Sequence, residues 1–366
     1  MLEASQNMGR FGISSYRKTG TDLYGMEAGW TENPMKISQR VFLLFSFLAI
    51  FLPDNGLSQS SSTAMETVNY RLKWLFNASV VGDLVADVSG FFEKNGLKVI
   101  VKEGGPERDA IKELELGHAQ FGVASADQVI RALSKGSPVV VIAQLFQVNP
   151  LQWIYRPQHL SIQTPTDMKG KRLGVTFGGN DETIMRTILS KFGMAETDVT
   201  LFSVRYDYTP FYQGDVDLWP VYINAQAVII ADKLAKSGET VRFLNPDALG
   251  VKFVANSVIT SEKMIREKPD TVSRFRKGLM AGWNAAMDPK NHARTIEVLR
   301  QFDRDTALPV MEKQLAATRP LIQPLPTTVI GSIDVLAWKE TEQIMLNQKQ
   351  IPAPVHVERV LKEAGF

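Results

Sequence analysis

The residues that first suggest chemistry are Gly178, Gly179, Asn180 and Asp181, inside "VTFGGNDETIMRTIL" from Val175 to Leu189. A short β-like run ends at Phe177, two glycines follow, and a helical pattern begins. A phosphate-cradling P-loop would need GxxxxGK[ST], and this stretch has no such lysine. A dinucleotide fingerprint would need GxGxxG, and only one glycine pair is present. No catalytic phosphate signature remains. Bare glycines at a strand-to-helix junction still let backbone approach a small molecule, and Asn180, Asp181 or Thr183 can cap or hydrogen-bond. The stretch reads as a pocket mouth. Asp181 and Glu182 beside it speak against a phosphate or sulfate dianion and suit an amine or aminopyrimidine.

A second cluster lies in "DLWPVYINAQ" (residues 217–226). Trp219, Tyr222, Asn224 and Gln226 fall in one strand-to-helix passage. Core packing explains one or two aromatics, but not so mixed a polar and aromatic set. Tyr206 and Tyr208, in "VRYDYTPF", are further candidates. Trp74 ends the first strand; its indole either packs in the core or stacks on a planar heterocycle. Asn77 is a turn residue or a hydrogen-bonding one. Ser125 and Asp127 open a helix after "FGVAS". Ser125 can serve as a plain N-cap, and the helix N-terminus offers N–H groups to a ligand in either case.

The chain excludes several chemistries. It has no cysteine, so disulfides, thiolate catalysis and cysteine-based zinc sites are ruled out. Its four histidines, His118, His159, His292 and His356, are scattered with no HxH or HExxH pair. Net charge is +2 over 366 residues, so no broad nucleic-acid footprint is implied. With 44% apolar and 22% charged residues the chain has ordinary globular composition, enough for one large or two medium domains.

The elements that must position these residues alternate. "NYRLKWLF" is a strand. "VGDLVADVSGFFEKNG" has helical spacing and a stop at Gly96. "LKVIVKEG", "AQFGVAS" and "PVVVIAQLFQ" are strands separated by helices at "ERDAIKELELG" and "ADQVIRALSKG". The same alternation restarts at "KRLGVTFGG" and runs to "FVANSVITS". From Glu262 onward the pattern is mostly helical. The fold class is therefore α/β, with sheets flanked by helices and a helical C-terminal tail. No long repeat at fixed period is visible.

Ahead of this lies "MKISQRVFLLFSFLAIFLPDNGLSQS". Lys36 and Arg40 form a positive n-region, residues 41–52 are apolar except Ser46, and Gly56-Leu57-Ser58 supplies small residues for cleavage. This is a secretory signal over residues 35–58, with an apolar run too short to span a bilayer. Residues 1–34 precede it, and translation is expected to start at Met35. No cysteine follows the apolar run, so the mature protein, starting near Gln59, is expected to be a free periplasmic monomer and not a lipoprotein.

In order and spacing, several phrases resemble type 2 periplasmic solute-binding proteins of ABC importers. The nearest branch serves nitrate, sulfonate, taurine and thiamine-pyrimidine-precursor uptake. The phrases are Trp74 at the end of a first strand, Gly90-Phe91-Phe92 with Gly96-Leu97, "GHAQFGVASAD" from Gly117 to Asp127, "MKGKRLGV" from Met168 to Val175, and "GDVDLWPVYINAQ". The resemblance implies two lobes, residues 67–157 with 253–366 and residues 158–252. Two crossings would join them near 155–160 and 252–257, with the tail packed mainly on the first lobe. It implies a small-molecule ligand in the cleft, with Trp74 facing it, and an inner-membrane ABC permease as partner. No cofactor and no nucleic acid are called for. Gln147 and Trp153 then approach the hinge, Gln147 as pocket or loop residue and Trp153 as packing. The pyrimidine-precursor branch commonly has glutamate where this chain has Gln226, which keeps hydrogen bonding and loses the charge. Eukaryotic pyrimidine-precursor synthases share the fold, but they rely on a cysteine-rich iron motif. A ligand-sensing module without an importer is the other alternative.

Overall fold

The computed structural model describes residues 65–362. The expected signal segment, residues 35–58, and residues 1–34 lie outside the described residues. Ten strands and eleven α-helices make up the described chain. The strands are β1 (Glu66–Arg71), β2 (Leu97–Lys102), β3 (Phe121–Ala124), β4 (Val139–Gln144), β5 (Leu151–Tyr155), β6 (Arg172–Val175), β7 (Thr200–Ser203), β8 (Trp219–Tyr222), β9 (Arg242–Leu244) and β10 (Ser257–Ser261). The helices of the α/β part are α1 (Val81–Val88), α2 (Ala110–Glu115), α3 (Ala126–Leu133), α4 (Asn180–Lys191), α5 (Thr209–Gln213) and α6 (Gln226–Ala235). Those of the tail are α7 (Glu262–Glu267), α8 (Pro269–Met287), α9 (His292–Phe302), α10 (Leu308–Ile322) and α11 (Val335–Asn347).

The first sheet runs β2-β1-β3-β10-β4, with β1 parallel to β2 and β3, and β10 antiparallel to β3 and β4. The second is built from β7-β6, joined through a Leu173–Leu218 bridge to β8-β5-β9, where β5 is antiparallel to both neighbours. The two sheets thus repeat one topology, and each takes its antiparallel strand from beside a crossing. The repeat was invisible to fixed-period reading because it is one of strand order, not of residue spacing.

The pairing corrects one boundary. Residues 151–155 were expected in the first lobe, with the first crossing near 155–160. Leu151–Tyr155 pairs with β8 and β9 instead, so the chain leaves the first sheet between Gln144 and Leu151. Trp153 locks this placement, its indole N–H donating to the Gly174 carbonyl of β6 at 2.9 Å. The return lies between Leu244 and Ser257.

The tail does more than cover the first sheet. Its α8 packs on α1 through small residues. Gly82 faces the Trp283 ring, and Gly282 meets Ala86. A Cβ at Gly82 would lie 2.0 Å from the indole, so Gly82→Ala is expected to cost about 1–3 kcal/mol through overpacking, read as a lower melting temperature. An unchanged melting curve would mean that the two helices part freely. Further along, α10 and the segment after α11 reach the second lobe. Gln314 donates to the Ala225 carbonyl at 3.0 Å, and Gln350 to the Thr187 hydroxyl at 3.1 Å. The tail therefore packs mainly on the first lobe, as expected, and also reaches across to the second. It also shields the β4 edge, where Gly331 and Leu361 form bridges to Gln144 and Val141, so that a fully buried apolar strand can stand last in its sheet.

Candidate functional site

A cleft lies between the two sheets, at the carboxyl ends of β1, β6 and β8. This is where open α/β sheets place ligands. The first lobe contributes Lys73 and Trp74, from the irregular segment after β1, and Gln128 of α3. The second contributes the Thr176–Asp181 turn, Tyr208 and the Trp219–Tyr222 strand with Gln226.

The Gly178-Gly179 turn is shaped by steric need. Gly178 sits at φ +81°, the left-handed region. At Gly179 a Cβ would lie 2.4 Å from the Asp181 carboxylate. The loop closes on itself, Gly179 N–H donating to the Thr176 carbonyl at 2.7 Å and Gly178 N–H to Glu182 Oε2 at 2.7 Å. Thr176 N–H donates to Asp181 Oδ2 at 2.6 Å. Burial pushes the Asp181 carboxyl up to about 6, with the Thr176 hydrogen bonds and the Lys73 charge opposing.

Nine of the fourteen expected ligand-binding residues line this cleft: Trp74, Gly178, Gly179, Asn180, Asp181, Tyr208, Trp219, Tyr222 and Gln226. Their exposures differ. Trp74 is half-buried at the rim, its ring 5.4 Å from Tyr206 at a 41° tilt. Trp219 is 2% exposed and packs edge-on to Tyr208, with ring centroids 6.0 Å apart, inside a core cluster with Phe211, Val204 and Ile230. Trp74 is therefore a rim indole and Trp219 a core indole at the cleft wall. Burial lifts the Tyr208 hydroxyl to about 12. Gln226 Oε1 accepts from Tyr222 N–H at 3.0 Å, and the Tyr222 hydroxyl donates to Asn256 Oδ1 at 2.9 Å.

Five expected residues are not among those lining the cleft, and each is engaged elsewhere. Asn77 accepts from Ser79 N–H at 2.8 Å, capping a 3-10 turn at Ala78–Val80. Ser125 caps α3, its hydroxyl donating to Asp127 Oδ1 at 2.6 Å. Asp127 is fully buried beside it. Gln147 donates to the Gln144 and Ser332 carbonyls, both at 3.0 Å. Asn224 donates to Thr318 of α10 at 2.9 Å, a tail contact that no local pattern indicates.

Sequence reasoning missed Lys73, Arg108, Gln128 and Asn256. Lys73 was hidden by alternation, since in "NYRLKWLF" it reads as the polar face opposite Trp74. The strand ends at Arg71, however, and beyond it both neighbours reach the cleft. Lys73 Nζ donates to Asn180 Oδ1 at 2.8 Å and to the Tyr222 hydroxyl at 3.3 Å, spanning from one lobe to the other. At the rim, Arg205 pairs with Glu107 beside the Trp74–Tyr206 contact.

Two sheets of one topology, two crossings and a cleft between the lobes define the type 2 periplasmic-binding-protein fold. The chain is similar in structure to the alkanesulfonate-binding protein SsuA from Xanthomonas axonopodis pv. citri, with TM-score 0.63 and 20% identity, over 81% of this chain and 98% of that one. Residues 77–292 match the NMT1/THI5-like family, and the chain belongs to it. A Haemophilus influenzae protein named for thiamine biosynthesis is 28% identical over 334 residues, 91% of this chain and 93% of the relative. The formylaminopyrimidine-binding protein of Halalkalibacterium halodurans is 23% identical, over 84% and 92%. A 4-amino-5-hydroxymethyl-2-methylpyrimidine phosphate synthase of Legionella pneumophila is 26% identical, over 71% and 81%.

Proposed function

We propose that this chain is the periplasmic solute-binding component of an ABC importer. It captures a small planar solute, a pyrimidine-type thiamine precursor being favoured, and presents it to an inner-membrane permease. The observation that carries this reading is the composition of the interlobe cleft, where aromatic surfaces (Trp74, Tyr208 and Tyr222) alternate with amide groups (Asn180, Gln226 and Asn256). Flat rings meet the former and ring nitrogens or exocyclic groups the latter. The relative named as a formylaminopyrimidine-binding protein supports the same ligand class. Hinge closure is the mechanism, driven by contacts the ligand makes in the closed state.

The second reading is a pyrimidine phosphate synthase, the name some relatives carry. A chain without cysteine lacks the thiolate ligands that the resemblance to eukaryotic synthases implies.

A thermal-shift screen with pyrimidines, flavins, sulfonates, taurine and nitrate tests the proposal. A ligand present at about 100 times its dissociation constant adds about 2.7 kcal/mol of stability, so the true ligand class should stand out. Small-angle scattering should then show a smaller radius of gyration with that ligand bound. A response to taurine or nitrate alone would move the chain to the other branch. Recovery of a chemically altered ligand would make it an enzyme.

A further inference from the structure

The charges in the cleft are not evenly engaged. Three carboxylates at or beside it, Asp109, Asp181 and Glu182, are held locally. Asp181 accepts from Thr176 N–H at 2.6 Å. Glu182 accepts from Gly178 N–H at 2.7 Å and pairs with Arg186 at 2.9 Å. Asp109 caps α2, accepting from Ile111 N–H at 2.8 Å. Lys73 differs. Its ammonium meets two neutral oxygens, Asn180 Oδ1 and the Tyr222 hydroxyl, and forms no ion pair among the described residues. Two acceptors leave one of its three donors over. The amide nitrogen of Asn180, itself 6% exposed, is buried without a hydrogen-bond partner among the described residues. Arg108 adds a second positive side chain at the rim.

We infer that Lys73 is a specificity-determining residue whose ammonium, with the Asn180 amide, selects a planar solute carrying an anionic oxygen group, a carboxylate or a phosphate monoester. This rests on the importer reading and deepens it. It also reverses the expectation, drawn from Asp181 and Glu182, that the pocket suits an amine, because those carboxylates are already engaged by backbone N–H groups. An ammonium that gives a charge-assisted hydrogen bond to an anion gains more than one facing neutral oxygens. The competing role for Lys73 is a simple tie between the lobes, which a neutral donor could also supply.

Calorimetry at pH 7.5 with two matched pairs of probes separates these roles. The pairs are uracil with orotate, and 4-amino-5-hydroxymethyl-2-methylpyrimidine with its phosphate monoester. At least one acidic probe is expected to bind about tenfold or more tightly than its neutral partner, and Lys73→Gln should bring that pair to within about twofold by weakening the acidic probe more than the neutral one. Preference for orotate alone identifies a carboxylate, and preference for the phosphate alone a monoester. Neutral probes binding as well as acidic ones would overturn the inference and leave the importer reading standing. So would Lys73→Gln weakening both members of a pair equally, the outcome for a lobe tie. Binding of none of the four would overturn the pyrimidine reading and this inference with it.

Discussion

Trp219→Ala is expected to lose about 3–5 kcal/mol of stability, as truncation of a buried tryptophan does, whereas Trp74→Ala should melt close to the parent. Trp219 is 2% exposed and wedged among Tyr208, Phe211 and Val204, so its removal opens a cavity in the second lobe. Trp74 is half-buried and touches Tyr206 across the rim. Its truncation should weaken a planar ligand by about 1–3 kcal/mol, roughly 5- to 150-fold, on the scale of base–aromatic stacking. Melting curves and calorimetry on the same two variants check both halves. A Trp219→Ala protein that melts normally but binds poorly would place that indole on the ligand and not in the core.

Stability should also fall between pH 5 and pH 8, and Asp83 should be the main cause. Asp83 is 1% exposed on α1, and the Tyr70 hydroxyl donates to it at 2.6 Å. Burial pushes its carboxyl up to about 7 from an ordinary value of 3.8, with the Tyr70 hydrogen bond opposing. The folded state therefore holds the proton more tightly than the unfolded one. That stabilisation is complete below the unfolded value and is lost as pH rises through 7. The loss from pH 5 to pH 8 amounts to about 2–3 kcal/mol at 1.36 kcal/mol per unit. Asp83→Asn keeps an oxygen for Tyr70 and carries no proton to lose, so it should melt higher than the parent at pH 8 and show a flatter profile. Asp181, lifted to about 6, leaves a residual slope below that pH. The acid limb has the opposite origin. The Lys268 hydrogen bond to Glu66 is the largest influence holding that carboxyl at about 2, so its contribution is present above the ordinary 4.5 and disappears as pH falls toward 2. Thermal melts across pH 3–9 on the parent and Asp83→Asn test the alkaline limb, and an unchanged slope in the variant would remove Asp83 from the account.

Local chemistry made the Gly178–Asp181 turn and the Trp219–Gln226 passage legible. A strand-to-helix junction with bare glycines, and a polar-aromatic mixture too rich for core alone, both report what a few adjacent residues can do. The same locality explains the misses. Asn77 and Ser125 are capping residues by type, and capping is where the structure uses them. Whether a cap also faces a ligand depends on the opposite lobe.

The sequence by itself determined the α/β alternation, the helical tail, the glycine turn at the cleft mouth and the absence of thiolate chemistry. Each follows from residue type and short-range periodicity. Only the tertiary structure decided that β5 belongs to the second sheet, that α10 takes Asn224 out of the cleft, that Trp219 is core while Trp74 is rim, and that Lys73 reaches Asn180 and Tyr222. These outcomes depend on pairings such as Ile154 with Trp219, on partners 94 to 149 residues apart at Asn224 and Lys73, or on burial by the whole lobe. Hydrogen bonds and apolar contacts at such separations are set by which surfaces the folded chain brings together, and side-chain spacing along a strand or helix carries no record of them.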